Sequence, residues 1–116
     1  NPDATVQVTW TSTWFDPAKE KEAAQSLLQA GADVLGMYQD STATGEAAKE
    51  AGAKWTGNDS DTKAGDFPDT WLTAPVWEWG PYYIAAAKAM MEGTCLVDQY
   101  YGSMADGIVR LGVFGS

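Results

Sequence analysis

Segments typical of strands alternate with segments of helical pattern along the whole chain, and this alternation limits the possible folds most strongly. Asp16-Pro17 supplies a capping acid and a first-turn proline, and a glycine follows each predicted helix. Strands that alternate with helices favour a mainly parallel sheet with helices on its faces. The sequence therefore predicts an α/β fold, a three-layer αβα sandwich with a mainly parallel sheet, formed by residues 1–116 as a single lobe. The predicted strands are 5–11, 33–38, 53–57, 69–73 and 108–114, with 33–38 buried on both faces, and the predicted helices are 17–30, 44–51 and 81–92.

The charge balance excludes several kinds of partner. The net charge is -9, from 16 acidic and 7 basic residues, and the basic residues are scattered among acids. Nucleic-acid binding and attachment to an anionic membrane both need clustered basic residues. No apolar run approaches the roughly 20 residues of a membrane span. These observations disfavour nucleic acid and an anionic membrane surface as partners.

Catalytic, cofactor and metal motifs are missing from the sequence. There is no histidine, so no Ser-His-Asp or Cys-His arrangement can form. Cys95 is the one cysteine, which precludes an intrachain disulfide, and we interpret it as a small apolar filler. The glycines form neither a dinucleotide motif nor a phosphate loop, and residues 58–61 (NDSD) lack the spacing of a calcium loop. We therefore predict no enzyme activity, no cofactor and no metal.

Four loops are expected at the edge of the sheet where ligands bind, beyond the carboxyl ends of parallel strands. They are residues 12–16, 39–42, 58–61 and 74–80, and they contain aromatic rings beside carboxylates. Such a set suits a flat ligand with N–H or O–H donors, such as a purine, a nucleoside or a sugar. Each tryptophan could equally be a core residue, because large aromatics dominate both settings. The candidate ligand-binding residues are Trp14, Phe15, Asp40, Ser41, Asp59 and Trp77.

Five segments, in order along the chain, resemble the basic membrane lipoprotein family of ABC-transporter solute-binding proteins. The resemblance covers nearly the whole chain, and no single segment is specific alone. The segments are 10–24 (WTSTWFDPAKEKEAA), 31–52 (GADVLGMYQDSTATGEAAKEAG), 57–61 (GNDSD), 72–83 (LTAPVWEWGPYY) and 101–107 (YGSMADG).

The resemblance implies one lobe of a type I periplasmic binding protein, in which two lobes close on a ligand at the hinge. The chain is similar to the second lobe only, so we expect it to be truncated at both ends, with the N-terminal lobe missing. The implied function is capture of a purine nucleoside or nucleobase for an ABC importer, with an ABC permease as partner. The full-length parent would be extracytoplasmic and membrane-anchored as a lipoprotein. The isolated lobe would bind ligand poorly and could form a homo-oligomer.

The resemblance also suggests roles at single positions. Trp14 matches an aromatic residue that stacks on the base, and Asp59 matches a carboxylate that accepts hydrogen bonds from the ligand. Asp40 and Ser41 lie where nucleoside binders of the family have a Gly-rich turn. Trp77 stands where such members often carry lysine, which favours a smaller or less polar ligand such as a free purine base.

Three other functions remain open at this point. A sugar-binding protein or the ligand-sensing domain of a transcription regulator could have the same kind of lobe. An enzyme with a flavodoxin-like or Rossmann-like sheet is disfavoured by the lack of histidine and of a phosphate loop.

Overall fold

Two small sheets and three helices make up the part of the chain, residues 1–94 and 99–115, that the computed structural model describes. The prediction for Cys95 lies outside these residues. The first sheet pairs β1 with β2 in parallel, and the second pairs β3 with β4 in antiparallel orientation. The elements in order are α1 (Pro17–Gln29), β1 (Val34–Gly36), α2 (Ala43–Ala51), β2 (Lys54–Thr56), a 3₁₀ turn (Ala64–Asp66), β3 (Pro75–Trp77), α3 (Gly80–Met91) and β4 (Val109–Leu111).

Helix α1 begins at the predicted Asp-Pro signal. The Asp16 carboxylate accepts the Lys19 N–H at 3.2 Å and satisfies one of the free amides of the first turn. The helix ends just before Gly31, whose φ of 98° is a conformation that favours glycine. Helix α1 packs on α2, which ends at the left-handed Gly52 as predicted. Both predicted helices are confirmed.

The core lies between α2, the first sheet and the residues that follow β2. Trp55 on β2 is buried at 1% exposure, and it contacts two further rings edge-on, Phe67 at 4.9 Å and Trp71 at 5.1 Å between centroids. Edge-to-face pairs of this kind are a favoured aromatic geometry. Leu35 faces Trp55 across the parallel register. Two of the six tryptophans are therefore core residues.

The second sheet adjoins the core through the chain after β4. Trp71 Nε1 donates to the Val113 carbonyl at 2.9 Å, and the Gly112 N–H donates to the Ala74 carbonyl at 2.8 Å. In the sheet itself Val76 is opposite Arg110. The predicted last strand is confirmed over Val109–Leu111, and it runs antiparallel to β3.

One predicted strand is wrong and another is only partly formed. Residues 5–11 form no strand, and among the described residues none hydrogen-bonds to their backbone. They extend past α1 and β1, with a cleft of about 1360 Å³ between them and those elements. Residues 69–73 lie beside β2 as a parallel bridge at Trp71, with backbone hydrogen bonds from the Trp55 N–H to the Thr70 carbonyl and from the Leu72 N–H to the Trp55 carbonyl. A β-rich pattern needs a neighbouring backbone to become a strand, and residues 5–11 lack one among the described residues.

The burial predicted for β1 is also wrong. Leu35 is buried, but Val34 is 49% exposed, because residues 5–11 do not pack against the free edge of β1.

Helix α3 matches its predicted position but buries none of its residues. Its apolar side chains include Tyr83, Ile84, Met90 and Met91, all of them exposed. Across the described residues, no helix is long and apolar enough to cross a membrane. The apolar surface of α3 is therefore uncovered by the described residues.

Candidate functional site

The loop before α1 and the loop after β1 form the first group of candidate residues. The Asp40 N–H donates to the Trp14 carbonyl at 3.0 Å, and Gln39 Nε2 donates to the Thr13 carbonyl at 3.2 Å. The Trp14 ring is 68% exposed and touches Tyr38 at a centroid distance of 6.0 Å. The backbone of this loop is thus held in place while the indole face stays open to a ligand.

The Glu20 side chain hydrogen-bonds to both of these loops. Its side chain is buried at 1% exposure, although it is a carboxylate in the first turn of α1. One oxygen accepts the Asp16 N–H at 2.9 Å, and the other accepts the Ser41 hydroxyl. A buried charged group is tolerated only when it is hydrogen-bonded in this way. The sequence analysis missed Glu20, and the available signal was an acid four residues after a helix cap.

The Ser41 hydroxyl both donates and accepts a hydrogen bond. It donates to Glu20 and accepts the Ala43 N–H at 3.2 Å, which secures the start of α2. Its contribution to a ligand site is therefore to shape the loop. The neighbouring Asp40 side chain and the Phe15 ring are both exposed. Asp40 thus adds an exposed carboxylate on the loop that is bonded to Trp14, and Phe15 adds exposed apolar surface beside Trp14 in the sequence.

Asp59 and Trp77 form the second group. Asp59 follows β2 in a left-handed conformation with φ 60°, which a non-glycine residue adopts in tight loops. Trp77 ends β3, and its Nε1 donates to Asp59 Oδ1. Beside them, Asn58 Oδ1 is buried and has no hydrogen-bond partner among the described residues. The structure therefore brings two predicted site residues from different loops into direct contact.

Asp61 anchors the Asp59 loop to β4. Its Oδ2 accepts the Val113 N–H at 3.0 Å and Arg110 Nη1 at 3.1 Å. The bond from Val113 and then the Arg110 guanidinium hold the pKa of the Asp61 carboxyl below its ordinary value. Arg110 also donates to Glu78 at 2.5 Å, and this bond raises the pKa of the guanidinium. The Asp61 carboxylate is thus used in structural hydrogen bonds, whereas that of Asp59 is bonded to Trp77.

A row of stacked rings continues from Trp77. Trp79 stacks on Trp77 at 6.2 Å and 24°, and Tyr83 stacks on Trp79 at 6.3 Å and 29°. All three rings are more than a third exposed. The row limits the orientations open to Trp77 and gives this side of the lobe a broad aromatic surface.

The six predicted residues thus occupy two groups. Trp14, Phe15, Asp40 and Ser41 form one, and Asp59 with Trp77 forms the other. Asp40 and Ser41 follow β1, Asp59 follows β2 and Trp77 is the last residue of β3, whereas Trp14 and Phe15 precede α1 and follow no strand. Open aromatic faces and carboxylate acceptors suit a planar ligand that donates hydrogen bonds. Residues 1–94 and 99–115 hold no group of three or more metal-ligating side chains.

Residues 1–113 match the family described as ABC transporter substrate-binding protein, PnrA-like. The chain belongs to this family. A purine-binding protein of Brucella abortus is 44% identical over 114 residues, which are 98% of this chain and 32% of that protein. A putative ABC transporter glucose-binding protein of Haloferax volcanii is 36% identical over 116 residues, 99% of this chain and 29% of that protein. The resemblance noted in the sequence is confirmed.

Two solved structures share the fold of the chain. An ABC transporter solute-binding protein from Conexibacter woesei has a TM-score of 0.80 at 26% identity, over 99% of this chain and 38% of that one. A transcriptional activator of the comK gene from Bacillus halodurans has a TM-score of 0.80 at 30% identity, over 92% of this chain and 38% of that one. The predicted α/β lobe is confirmed. The chain spans about a third of the length of the curated relatives it matches.

Proposed function

We propose that the two-lobed protein containing this chain captures a purine nucleoside or nucleobase for an ABC importer. The observation that carries the proposal is the open indole face of Trp14, which is held by backbone hydrogen bonds beside the carboxylate of Asp40. The purine-binding relative at 44% identity supports the same ligand class.

In this proposal Trp14 stacks on one face of the purine. Stacking of a base on an aromatic side chain contributes roughly 1–3 kcal/mol. Asp59 accepts a hydrogen bond from a ligand N–H or O–H, and Asp40 provides a second carboxylate near the ring. Phe15 adds apolar surface next to Trp14, and Ser41 shapes its loop through the hydrogen bond to Glu20. The other lobe covers the opposite face of the base.

The proposed role is transport and not catalysis. The other lobe and the ABC permease are the expected partners, and the ligand is released to the permease unchanged. An extracytoplasmic location and a lipoprotein anchor on the parent belong to the same proposal.

Calorimetric titration of the two-lobed parent with adenine, guanine, adenosine, guanosine and glucose tests the function. We expect at least one purine compound to bind with a micromolar or lower dissociation constant and glucose not to bind. Binding of glucose alone would overturn the purine assignment and favour a sugar.

The same titration of the Trp14→Ala variant of the parent tests whether the ligand stacks on Trp14. We expect affinity for the purine ligand to fall by about tenfold or more, in line with the loss of one stacked ring. Trp10→Ala is the matched control, because Trp10 is 87% exposed and belongs to the extended segment before the site. Equal affinities for the Trp14 variant and the wild type would show that Trp14 does not contact the ligand.

A further inference from the structure

We infer that two copies of this chain exchange residues 5–11, so that this segment of each copy inserts as a strand between residues 5–11 and β1 of the other. The product is a symmetric dimer with one continuous sheet. Its structural basis is the cleft of about 1360 Å³ that separates residues 5–11 from α1 and β1. This contact is independent of the ligand proposed above.

Both long walls of the cleft are backbone with free hydrogen-bonding groups. Among the described residues, β1 pairs only with β2, so its other edge is open, and no hydrogen bond reaches the backbone of residues 5–11. Rows of unpaired N–H and C=O groups are a template for another strand. A strand placed in the cleft would satisfy both walls at once.

The two walls do not pair with each other. They meet at one end, where the Asp40 N–H donates to the Trp14 carbonyl at 3.0 Å. Next to this joint the contact is made by a side chain, since Gln39 Nε2 donates to the Thr13 carbonyl at 3.2 Å and to the Thr11 hydroxyl. Paired strands lie about 4.8 Å apart, and one strand between two others needs about twice that spacing. The cleft beyond Gln39 gives an inserted strand this room.

Residues 5–11 have the chemistry of the inserted strand. Their sequence, TVQVTWT, alternates, is rich in β-formers and carries no charge. Its two valines and its tryptophan are all exposed in the single copy. Among the described residues no lysine or arginine lines the cleft, and Ala23, Ala24 and Leu27 of α1 contribute apolar lining. An uncharged strand therefore fits the cleft without bringing like charges together.

A second copy is the occupant that lets the exchange close on itself. Across the dimer, the strands follow in the order β2, β1 and residues 5–11 of the second copy, and then residues 5–11 of the first copy and β1 and β2 of the second. Each inserted segment is thus a wall of its own cleft and the occupant of the other. A two-fold axis between the two segments makes them antiparallel. Since both clefts are then filled, association stops at the dimer.

Sedimentation velocity of the 116-residue chain over a range of concentrations tests the exchange. We expect the wild type to be a dimer. For Val8→Pro we expect the dimer dissociation constant to rise by about tenfold or more, because proline has no N–H to donate and the symmetry places it in both inserted strands.

Two further variants are the controls. Val8→Thr keeps the N–H and a β-branched side chain, and its dissociation constant should stay within about twofold of the wild type. Ile84→Lys places a charge on the exposed apolar side of α3, which is the other surface that could join two copies, and it should also stay dimeric. Circular dichroism and the melting temperature verify that each variant is folded.

Amide hydrogen exchange of the wild type tests the same contact without a substitution. Above the dissociation constant, residues 5–11 and residues 33–37 should be protected together, since an inserted strand has a neighbour on both sides. Dilution below that concentration should remove the protection of both segments and leave that of α2 unchanged.

Loss of the dimer in Val8→Pro alone, with joint protection of both segments, supports the exchange. A wild type that stays monomeric at high concentration overturns it and leaves the cleft to another segment of the parent. A dimer that survives Val8→Pro but dissociates in Ile84→Lys is formed through α3. A dimer whose residues 5–11 exchange as fast as in the monomer does not pair through them, and this result also overturns the exchange.

Discussion

At the scale of single residues, Glu20 is a buried carboxylate that hydrogen-bonds to the two loops on which Trp14 and Asp40 lie. It is almost wholly buried, and its two oxygens satisfy the Asp16 N–H and the Ser41 hydroxyl. Replacing one partner of such an arrangement leaves buried donors without acceptors, which costs about 1–3 kcal/mol for each group. Glu20 therefore links helix α1 to the loop before it, which carries Trp14, and to the loop after β1, which carries Asp40 and Ser41.

We expect Glu20→Ala to lower the free energy of unfolding of the parent by about 2 kcal/mol or more, because both buried donors lose their acceptor. Urea denaturation measures this change. Glu22→Ala is the control, since Glu22 is an exposed acid on the same helix, and its effect should stay within about 0.5 kcal/mol. Similar midpoints for the two variants would contradict the role given to Glu20.

At the scale of elements, the contact of α2 with β2 depends on a glycine inside a helix. A Cβ at Gly45 would lie 2.5 Å from Cε2 of the buried Trp55 ring. Such overlap with a rigid core side chain costs about 1–3 kcal/mol, and this outweighs the gain of about 1 kcal/mol in helix propensity. The small residue allows the helix to approach the sheet.

Gly45→Ala should therefore destabilise the protein by about 1 kcal/mol or more, despite placing a better helix former in α2. Gly80→Ala makes the same change at the exposed start of α3, where a Cβ meets nothing within 4 Å. That variant should be neutral or slightly stabilising. Thermal melting of the two proteins compares them, and a stabilised Gly45→Ala would show that Trp55 can move aside.

The helices were predictable from sequence, and the strands only in part. Helix ends are set by local chemistry, such as the Asp16 cap and the left-handed Gly52, which can be identified from a few neighbouring residues. A strand depends on a backbone partner far away in sequence. Residues 5–11 have a clear β pattern but no backbone partner among the described residues, whereas residues 69–73 pair with β2 over a short parallel bridge. The pattern could not show which segments are paired.

The candidate loops were predictable for a related reason. A parallel α/β arrangement places the loops after its strands at one edge, and this selects the loops of Asp40 and Asp59, which follow β1 and β2. Trp14 was selected from a predicted strand, residues 5–11, that does not form. The contacts within the site were not predictable. The Trp77–Asp59 hydrogen bond and the burial of Glu20 depend on side-chain geometry over many residues of separation, and neither has a sequence pattern of its own.

At the scale of the whole molecule, three carboxylates link stability to pH. Hydrogen bonds from the Lys19 N–H, the Val113 N–H and the Ser103 hydroxyl lower the pKa values of Asp16, Asp61 and Asp106, respectively, from 3.8. A carboxylate whose pKa is lower in the folded state contributes stability above its unfolded pKa, and that contribution is lost as pH falls. These groups therefore stabilise the fold at neutral pH and weaken it in acid.

We expect the urea midpoint to be steady near pH 6, to fall below about pH 5, and to decline further as pH passes through 3.8. Asp61→Asn should flatten part of this decline, because the variant has no carboxylate there to titrate. A midpoint that stays constant down to pH 3 would contradict the assignment.

The described residues also form an extended body. The radius of gyration is 17.6 Å, whereas about 13 Å is typical for a compact chain of this length. The excess reflects the open segment at residues 1–11, together with the uncovered apolar side of α3. Exposed apolar surface of this kind often marks a site of contact with a partner.

We expect the isolated 116-residue chain to self-associate and to bind purines at least a thousandfold more weakly than the parent. Loss of the opposing wall needs to remove only about 4 kcal/mol for such a decrease. A symmetric dimer is the commonest arrangement, because one apolar patch can then cover its own copy. Sedimentation velocity and calorimetry check both parts, and a monomer with micromolar affinity would contradict them.

The Glu20 contacts have a further consequence for the energetics of ligand capture. Glu20 joins the Trp14 loop and the Ser41 loop in the folded chain without a ligand. The entropy lost in ordering these loops is therefore part of the folding free energy and not of the association free energy. In the proposed function the ligand would meet a preorganised surface, and the remaining conformational cost of binding would be the closure of the lobes. Substitution of Glu20 would then change affinity and heat resistance together, although its carboxylate is buried beneath the loops.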